Sequence, residues 1–306
     1  MVPTWLQALV LGVVQGLTEF FPVSSSGHLV IVPALLGWPH PDLAFDVALH
    51  MGTAGAVVVY FRADLAAMAR ALTARGGDPR ARLHRRLAVT LVVSSVPVAL
   101  IGLTLKSTFE RAFAAPAVAS GFLFVTAGLL VAGERVRSAR VRSAARIDAG
   151  AHGPARPSPA EPGPQGVPTG ADPSDPTGRR LDELTLPRAL VVGVAQTLAL
   201  FPGVSRSGTT ITAGVVAGLT REAATRFSFL LALPALVGAG VLSLPGLARP
   251  GMFGGLDLAL GVSAAFATGC AAIHFLLRLV ARARLTGFAV YCVAAGVIGV
   301  VGSLLG

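Results

Sequence analysis

Charge is scarce in this 306-residue chain: 13% of residues are charged against 53% hydrophobic, and the mean hydropathy is +0.71. Such a balance excludes a water-soluble domain and makes the bilayer the solvent. Cysteine is nearly absent. Cys270 and Cys292 both fall inside apolar segments without CxxC or metal-ligand spacing, which excludes a disulfide framework and a zinc site and leaves them as packing residues. Acidic residues are few, 15 against 25 basic ones, giving a net charge of +10. In a soluble protein that excess would suggest nucleic acid. Here the basic residues cluster between apolar stretches and no recognition module accompanies them, so orientation in a membrane accounts for the charge and no nucleic-acid partner is expected. The N-terminus lacks the basic region and small-residue cleavage site of a signal peptide, so its apolar start is expected to belong to the fold.

Six segments are long and apolar enough to cross a bilayer: Leu43 to Phe61, Leu87 to Leu105, Ala115 to Gly133, Thr225 to Leu247, Leu256 to Val280 and Gly287 to Leu305. Four shorter stretches come as two pairs, Trp5 to Phe21 with His28 to Trp38, and Arg188 to Phe201 with Thr209 to Leu219. The second member of each pair has eleven residues, a rise of only about 16 Å, so each pair reads as a re-entrant hairpin with a polar turn near the midplane. The turns are FPVSSSGH (Phe21 to His28) and FPGVSRSGTT (Phe201 to Thr210).

A shift of 181 positions lays Gly12 to Gly27 over Gly193 to Gly208 with nine identities in sixteen, so the halves are related by duplication. The loops at 62 to 86, 134 to 188, 221 to 226 and 278 to 285 hold 21 Arg, against Lys106, Arg111 and Arg249 on the opposite face. The Arg-rich face is therefore expected to be cytoplasmic. The expected fold class is an all-α polytopic membrane protein, an inverted-topology repeat with six transmembrane helices and two re-entrant helical hairpins. Residues 1–133 form the first half, 134–187 a cytoplasmic linker and 188–306 the second half of one membrane domain, with both termini extracytoplasmic. The stretch from Arg140 to Arg180, rich in Pro, Gly, Ala and charge, is expected to be a disordered spacer.

Two helix N-termini meeting at mid-membrane would form a cradle for an anion, expected to be a phosphate. Arg206 adds a guanidinium that forks onto phosphate oxygens, and Ser24, Ser25, Ser26, Ser205, Ser207, Thr209 and Thr210 add hydroxyls, with Gly27, Gly203 and Gly208 counted among the phosphate-binding residues of the two turns. Each hydroxyl could equally serve as a helix cap. An arginine within the membrane costs several kcal/mol unless partnered, which favours a functional role over a structural ion pair. Glu19, with Gln15 one turn earlier, either pairs with Arg206 or helps hold Mg2+ or Ca2+ together with diphosphate oxygens; the metal is the preferred expectation. His28 is placed to exchange a proton with a nucleophile or a leaving oxygen. Asp46, His50 and His274 lie within spans and are expected to bond neighbouring helices.

The segments GVVQGLTEFFPVSSSGH (Gly12 to His28) and FPGVSRSGTT (Phe201 to Thr210) resemble the undecaprenyl-diphosphatase family, also called UppP or BacA, and the resemblance extends through AFDVALHMGT (Ala44 to Thr53) and TRFSFLLALPALVGAG (Thr225 to Gly240). It implies hydrolysis of a polyprenyl diphosphate to the monophosphate in the bacterial plasma membrane, at a divalent-metal site opening extracytoplasmically. Gln15 and Glu19 match the acidic motif, Ser24, Ser25 and His28 the serine-histidine turn, and Pro202, Gly203, Ser205, Arg206, Ser207 and Thr210 the second motif. Gln15 stands where the family often has Glu, leaving one carboxylate fewer for metal, and the linker is longer than usual. Ser25, deprotonated by His28, is the expected nucleophile, with Glu19 and Arg206 completing the catalytic set; water or His28 is the alternative. A homodimer is compatible with the sequence, and a transporter or flippase for a lipid phosphate or other anion is the competing function.

Overall fold

The computed structural model describes residues 3–39, 42–74, 78–105, 115–150, 177–247 and 255–305, and among them every regular element is helical. The chain starts with α1 (Trp5–Phe20), set by Thr4 and Gln7, whose side chains satisfy each other's backbone N–H in a capping box. A short turn leads to α2 (Ser25–Leu35). Then come α3 (Leu43–Tyr60), capped by Asp42, and α4 (Arg62–Thr73), bent by 76° from the helix before it. Asp78 caps α5 (Pro79–Thr104), and α6 (Pro116–Gly150) ends the first half. The second half has α7 (Leu186–Gln196), continued by a 3-10 turn over Thr197–Leu200, then α8 (Arg206–Val216), α9 (Arg221–Leu247), α10 (Gly255–Val280) and α11 (Thr286–Leu305).

Five of these helices (α5, α6, α9, α10 and α11) are long and apolar enough to span a bilayer, and α3 with α4 makes a sixth if the bent pair counts as one span. All six expected spans therefore fall on helices. Their outer faces carry exposed Val92, Leu100, Val241, Val290 and Leu304, which water would penalise and lipid does not.

Between apolar helices in lipid, close approach of small residues replaces the hydrophobic effect as the source of packing. The helices α1 and α10 touch along most of α1, and Gly12 lies so close to the Gly261 carbonyl that a Cβ there would overlap it. Gly193, 181 residues after Gly12, makes the same kind of contact on α7 with the Ser94 carbonyl of α5. Each half thus sends its first helix against a long helix of the other half. Phe20 and Phe229, fully buried, meet edge to face at 5.2 Å beneath the polar turns.

Part of the stretch expected to be a disordered spacer is helical. The helix α6 continues past Arg140 to Gly150, because a run of Ala and Arg is a good helix former and because the Arg140 guanidinium donates to the carbonyls of Val215 and Leu219, the end of α8. At the other side Arg179 pairs with residues 218 and 220 through backbone bonds, and Leu181 and Leu184 are buried. The rest of the expected linker, 151–176, lies outside the described residues. The Arg-rich end is further fixed by Glu134, which accepts from the Leu285 N–H at 3.0 Å, and by the Arg226–Asp64 pair at 3.3 Å.

Candidate active site

The two polar turns meet inside the molecule and are built alike. In the first, Ser24 Oγ accepts from the Gly27 N–H (3.2 Å) and lies 3.3 Å from Ser26 Oγ; in the second, Ser205 Oγ accepts from the Gly208 N–H (3.0 Å) and lies 3.2 Å from Ser207 Oγ. Capping, the structural alternative for these serines, is what Ser24 and Ser205 do. The turns also bond each other, the Gly203 N–H donating to Ser26 Oγ (3.4 Å) and Ser207 Oγ to the Phe21 carbonyl (3.0 Å). These two bonds differ for a reason in the repeat. Pro22 occupies the position equivalent to Gly203 and has no N–H to offer, so Ser207 turns to a carbonyl instead.

Gly203 has φ +90° and sits so tightly on the Ala119 carbonyl that no side chain would fit. Thr126 of α6 sews the same turn in place: its hydroxyl accepts from the Ser205 N–H (2.9 Å) and donates to the Gly203 carbonyl (3.0 Å). One threonine in an apolar span gives no sequence signal for this role.

Glu19 is the hub. Its side chain is 4% exposed, Oε1 lies 2.8 Å from Arg206 Nη2, and Oε2 accepts from Ser25 Oγ (2.5 Å) and Gln15 Nε2 (3.1 Å), with His50 Nε2 at 3.5 Å. Glu19 thus pairs with Arg206, the alternative ranked second to metal in the sequence. Arg206 is also held by the Ser228 carbonyl of α9 (3.1 Å). Thr210 bonds Ser228 Oγ (2.6 Å) and the Arg206 carbonyl (2.8 Å) and so steadies this arginine from behind.

The structure separates the expected site residues by access. Ser25, Ser26 and Arg206 are half-buried, whereas Gln15, Glu19, Ser24, Gly27, His28, Gly203, Ser205, Ser207, Gly208, Thr209 and Thr210 are buried. His28 is not bonded to Ser25 as expected: Nδ1 lies 2.7 Å from the Ser24 carbonyl and Nε2 2.7 Å from Tyr291 Oη. The acceptor beside the Ser25 hydroxyl is Glu19 instead, because α1 ends just before the turn and aims its last carboxylate at the first residue of α2. His50 of α3 reaches Glu19 on the neighbouring α1, as expected of a polar residue within a span, and by that contact joins the cluster. Tyr60 and His274 do bond across neighbouring helices, at 3.3 Å.

Among the described residues no three His, Cys, Asp or Glu side chains converge on a point, so the protein alone offers no complete cation cage. One oxygen is left over beside Glu19: Gln15 Oε1 is buried without a partner. That leftover acceptor fits a cation shared with an anionic ligand.

The apolar spans make this a multi-pass membrane protein, and between two of its helix N-termini lie a carboxylate, a guanidinium and a hydroxyl, groups whose chemistry suits an oxyanion. Residues 8–298 match the model of the family described as bacitracin resistance protein BacA, and the chain belongs to that family. It is 38% identical to an undecaprenyl-diphosphatase of Geobacter sulfurreducens over 95% of both chains. It is 40% identical to undecaprenyl-diphosphatase 2 of Frankia alni over 96% of both, and 41% identical to an undecaprenyl-diphosphatase of Desulfosudis oleivorans over 95% of this chain and 96% of that one.

Proposed function

We propose that this protein is an undecaprenyl-diphosphate phosphatase, hydrolysing the carrier lipid diphosphate to the monophosphate and inorganic phosphate. The observation that carries this reading is Glu19, which holds the Ser25 hydroxyl on one oxygen and the Arg206 guanidinium on the other at the mouth of two helix N-termini. An anion carrier would need the cradle and the cation. It would have no use for a carboxylate hydrogen-bonded to a serine hydroxyl, and no observation favours carriage over hydrolysis.

In this reading the terminal phosphoryl group rests against Ser25, Ser26, Arg206 and the first N–H groups of α2 and α8. Ser25 Oγ attacks the terminal phosphorus as its proton passes to Glu19, and the bond from phosphorus to the bridging oxygen breaks, releasing the lipid monophosphate. Glu19 passes that proton to the departing lipid monophosphate, then takes one from the water that attacks the phosphoserine and returns it to Ser25 Oγ as inorganic phosphate leaves. Arg206 stabilises charge on the equatorial oxygens throughout. Ser24, Gly27, Gly203, Ser205, Ser207, Gly208, Thr209 and Thr210 hold the frame that presents these groups. A divalent ion, Mg2+ or Ca2+, would be held by Gln15 Oε1 and Glu19 together with diphosphate oxygens, and would supply neutralisation of the diphosphate charge.

The inverted-topology reading of the fold, with α1–α2 and α7–α8 as re-entrant hairpins, is supported by the 181-residue repeat, by the like-built turns and by the crossed packing of α1 on α10 and α7 on α5. With the Arg-rich end cytoplasmic, the site opens to the extracytoplasmic side and both termini lie there. The exposed apolar helix faces would meet lipid or a second copy in a homodimer. The test is phosphate release from undecaprenyl diphosphate by the purified protein in detergent, with and without chelator. Turnover that chelation stops is expected; no release with any prenyl diphosphate would overturn the reading.

A further inference from the structure

We propose that Tyr291 is a positioning residue, acting through His28 to hold the strained Ser24 turn from which Ser25 is presented. His28 is 6% exposed, and its Nδ1 lies 2.7 Å from the Ser24 carbonyl. A carbonyl only accepts, so Nδ1 carries the hydrogen, and in the neutral ring Nε2 is then the acceptor. Tyr291 Oη, 2.7 Å from Nε2, fills that acceptor by donating, and the two rings stack with centroids 5.6 Å apart and planes 9° apart. Both ring nitrogens are thereby committed, one to the turn and the other to α11, 263 residues away in sequence.

The turn needs such a brace. Ser24 has φ 71°, and among the described residues no other non-glycine residue has a positive φ. Conformations of that kind persist where the surroundings over-determine them. The duplicated half supplies the control: Ser205, the counterpart of Ser24, has a relaxed φ of −69°, and Thr209 replaces His28, its hydroxyl buried without a partner. Strain and brace occur together in one half and are both missing from the other. The strained half is also the one in which the next residue, Ser25, bonds Glu19 at 2.5 Å.

This inference rests on the phosphatase reading for its kinetic test and has a spectroscopic test independent of it. Tyr291→Phe should keep the stacking, lower kcat roughly tenfold, the rate equivalent of one ordinary hydrogen bond, and leave KM nearly unchanged. His28→Asn can place an N–H where Nδ1–H stood and should retain more activity than His28→Gln, whose amide reaches only toward the Nε2 position. Adding Tyr291→Phe to His28→Asn should cause no further loss. An unchanged kcat in Tyr291→Phe, an equal loss in both backgrounds, or His28→Gln outperforming His28→Asn would overturn the proposal. The 15N shifts of the His28 ring, read in protein labelled at histidine, should report a single Nδ1–H tautomer that becomes mixed in Tyr291→Phe. Identical ring shifts in the two proteins would overturn it, even if wild-type protein released no phosphate.

Discussion

Replacing Glu19 by Gln removes one charge, keeps the shape and takes away the carboxylate that two half-buried partners share. Glu19 uses Oε1 for Arg206 at 2.8 Å and Oε2 for Ser25 at 2.5 Å, so a glutamine can serve one of these partners with its oxygen and must present N–H to the other. Breaking a buried ion pair from one side costs about 3–5 kcal/mol. Arg206 keeps its bond to the Ser228 carbonyl and is 14% exposed, so about 3 kcal/mol is the appropriate end of that range. Melting in detergent should fall by roughly 5 °C or more. The chemical loss is separate: a positioned general base contributes about 10²–10⁴ in rate, so kcat for phosphate release should drop by that factor. The assay is steady-state phosphate release with protein that elutes as a single species. A Glu19→Gln enzyme retaining more than about a tenth of the rate, a loss under ~1.4 kcal/mol, would refute Glu19 as both base and anchor.

Ser25→Ala should remove nearly all turnover while leaving lipid diphosphate binding intact, and rapid-quench mass spectrometry should find phosphate on Ser25 in the wild type only; substantial turnover in the alanine variant would favour water as the nucleophile. Arg206→Lys should lose most activity, because a point charge cannot hold Glu19 and fork onto a phosphoryl group together, and lysine activity near wild type would contradict the two-pronged contact. Thr126→Val leaves the Ser205 N–H and Gly203 carbonyl without their buried partner and should destabilise by about 1–3 kcal/mol, read as a lowered melting point. Replacing 151–176 by a short flexible segment should leave kcat within about twofold, since no site residue lies there and the composition is that of a solvated spacer; loss of activity in well-folded protein would give that stretch a role.

Much of this site is legible in the sequence because its signals are local. Polar turns inside apolar hairpins, duplicated at a 181-residue interval, pick out Ser24 to His28 and Gly203 to Thr210, and charge in lipid picks out Glu19 and Arg206. What the sequence hides is which donor meets which acceptor. Ser25 prefers Glu19 to His28 because of where α1 ends, and His28 is claimed by Tyr291 from the last helix; neither contact has a sequence pattern. Thr126 and Ser228 are similarly silent, being single polar residues whose role exists only once α6 and α9 pack beside the turns. The start of the linker misleads because its charge suggests solvent, whereas Ala and Arg continue a helix and Arg140 has two carbonyls to cap.

In the proposed function this site cleaves the terminal phosphate and does not carry the lipid intact. Undecaprenyl diphosphate labelled in its terminal phosphate, reconstituted with the protein in vesicles, decides between the two. Wild-type protein should yield one undecaprenyl monophosphate for every labelled orthophosphate released, and Glu19→Gln essentially none of either. Lipid recovered uncleaved, whether or not it has crossed the bilayer, would contradict the proposed function.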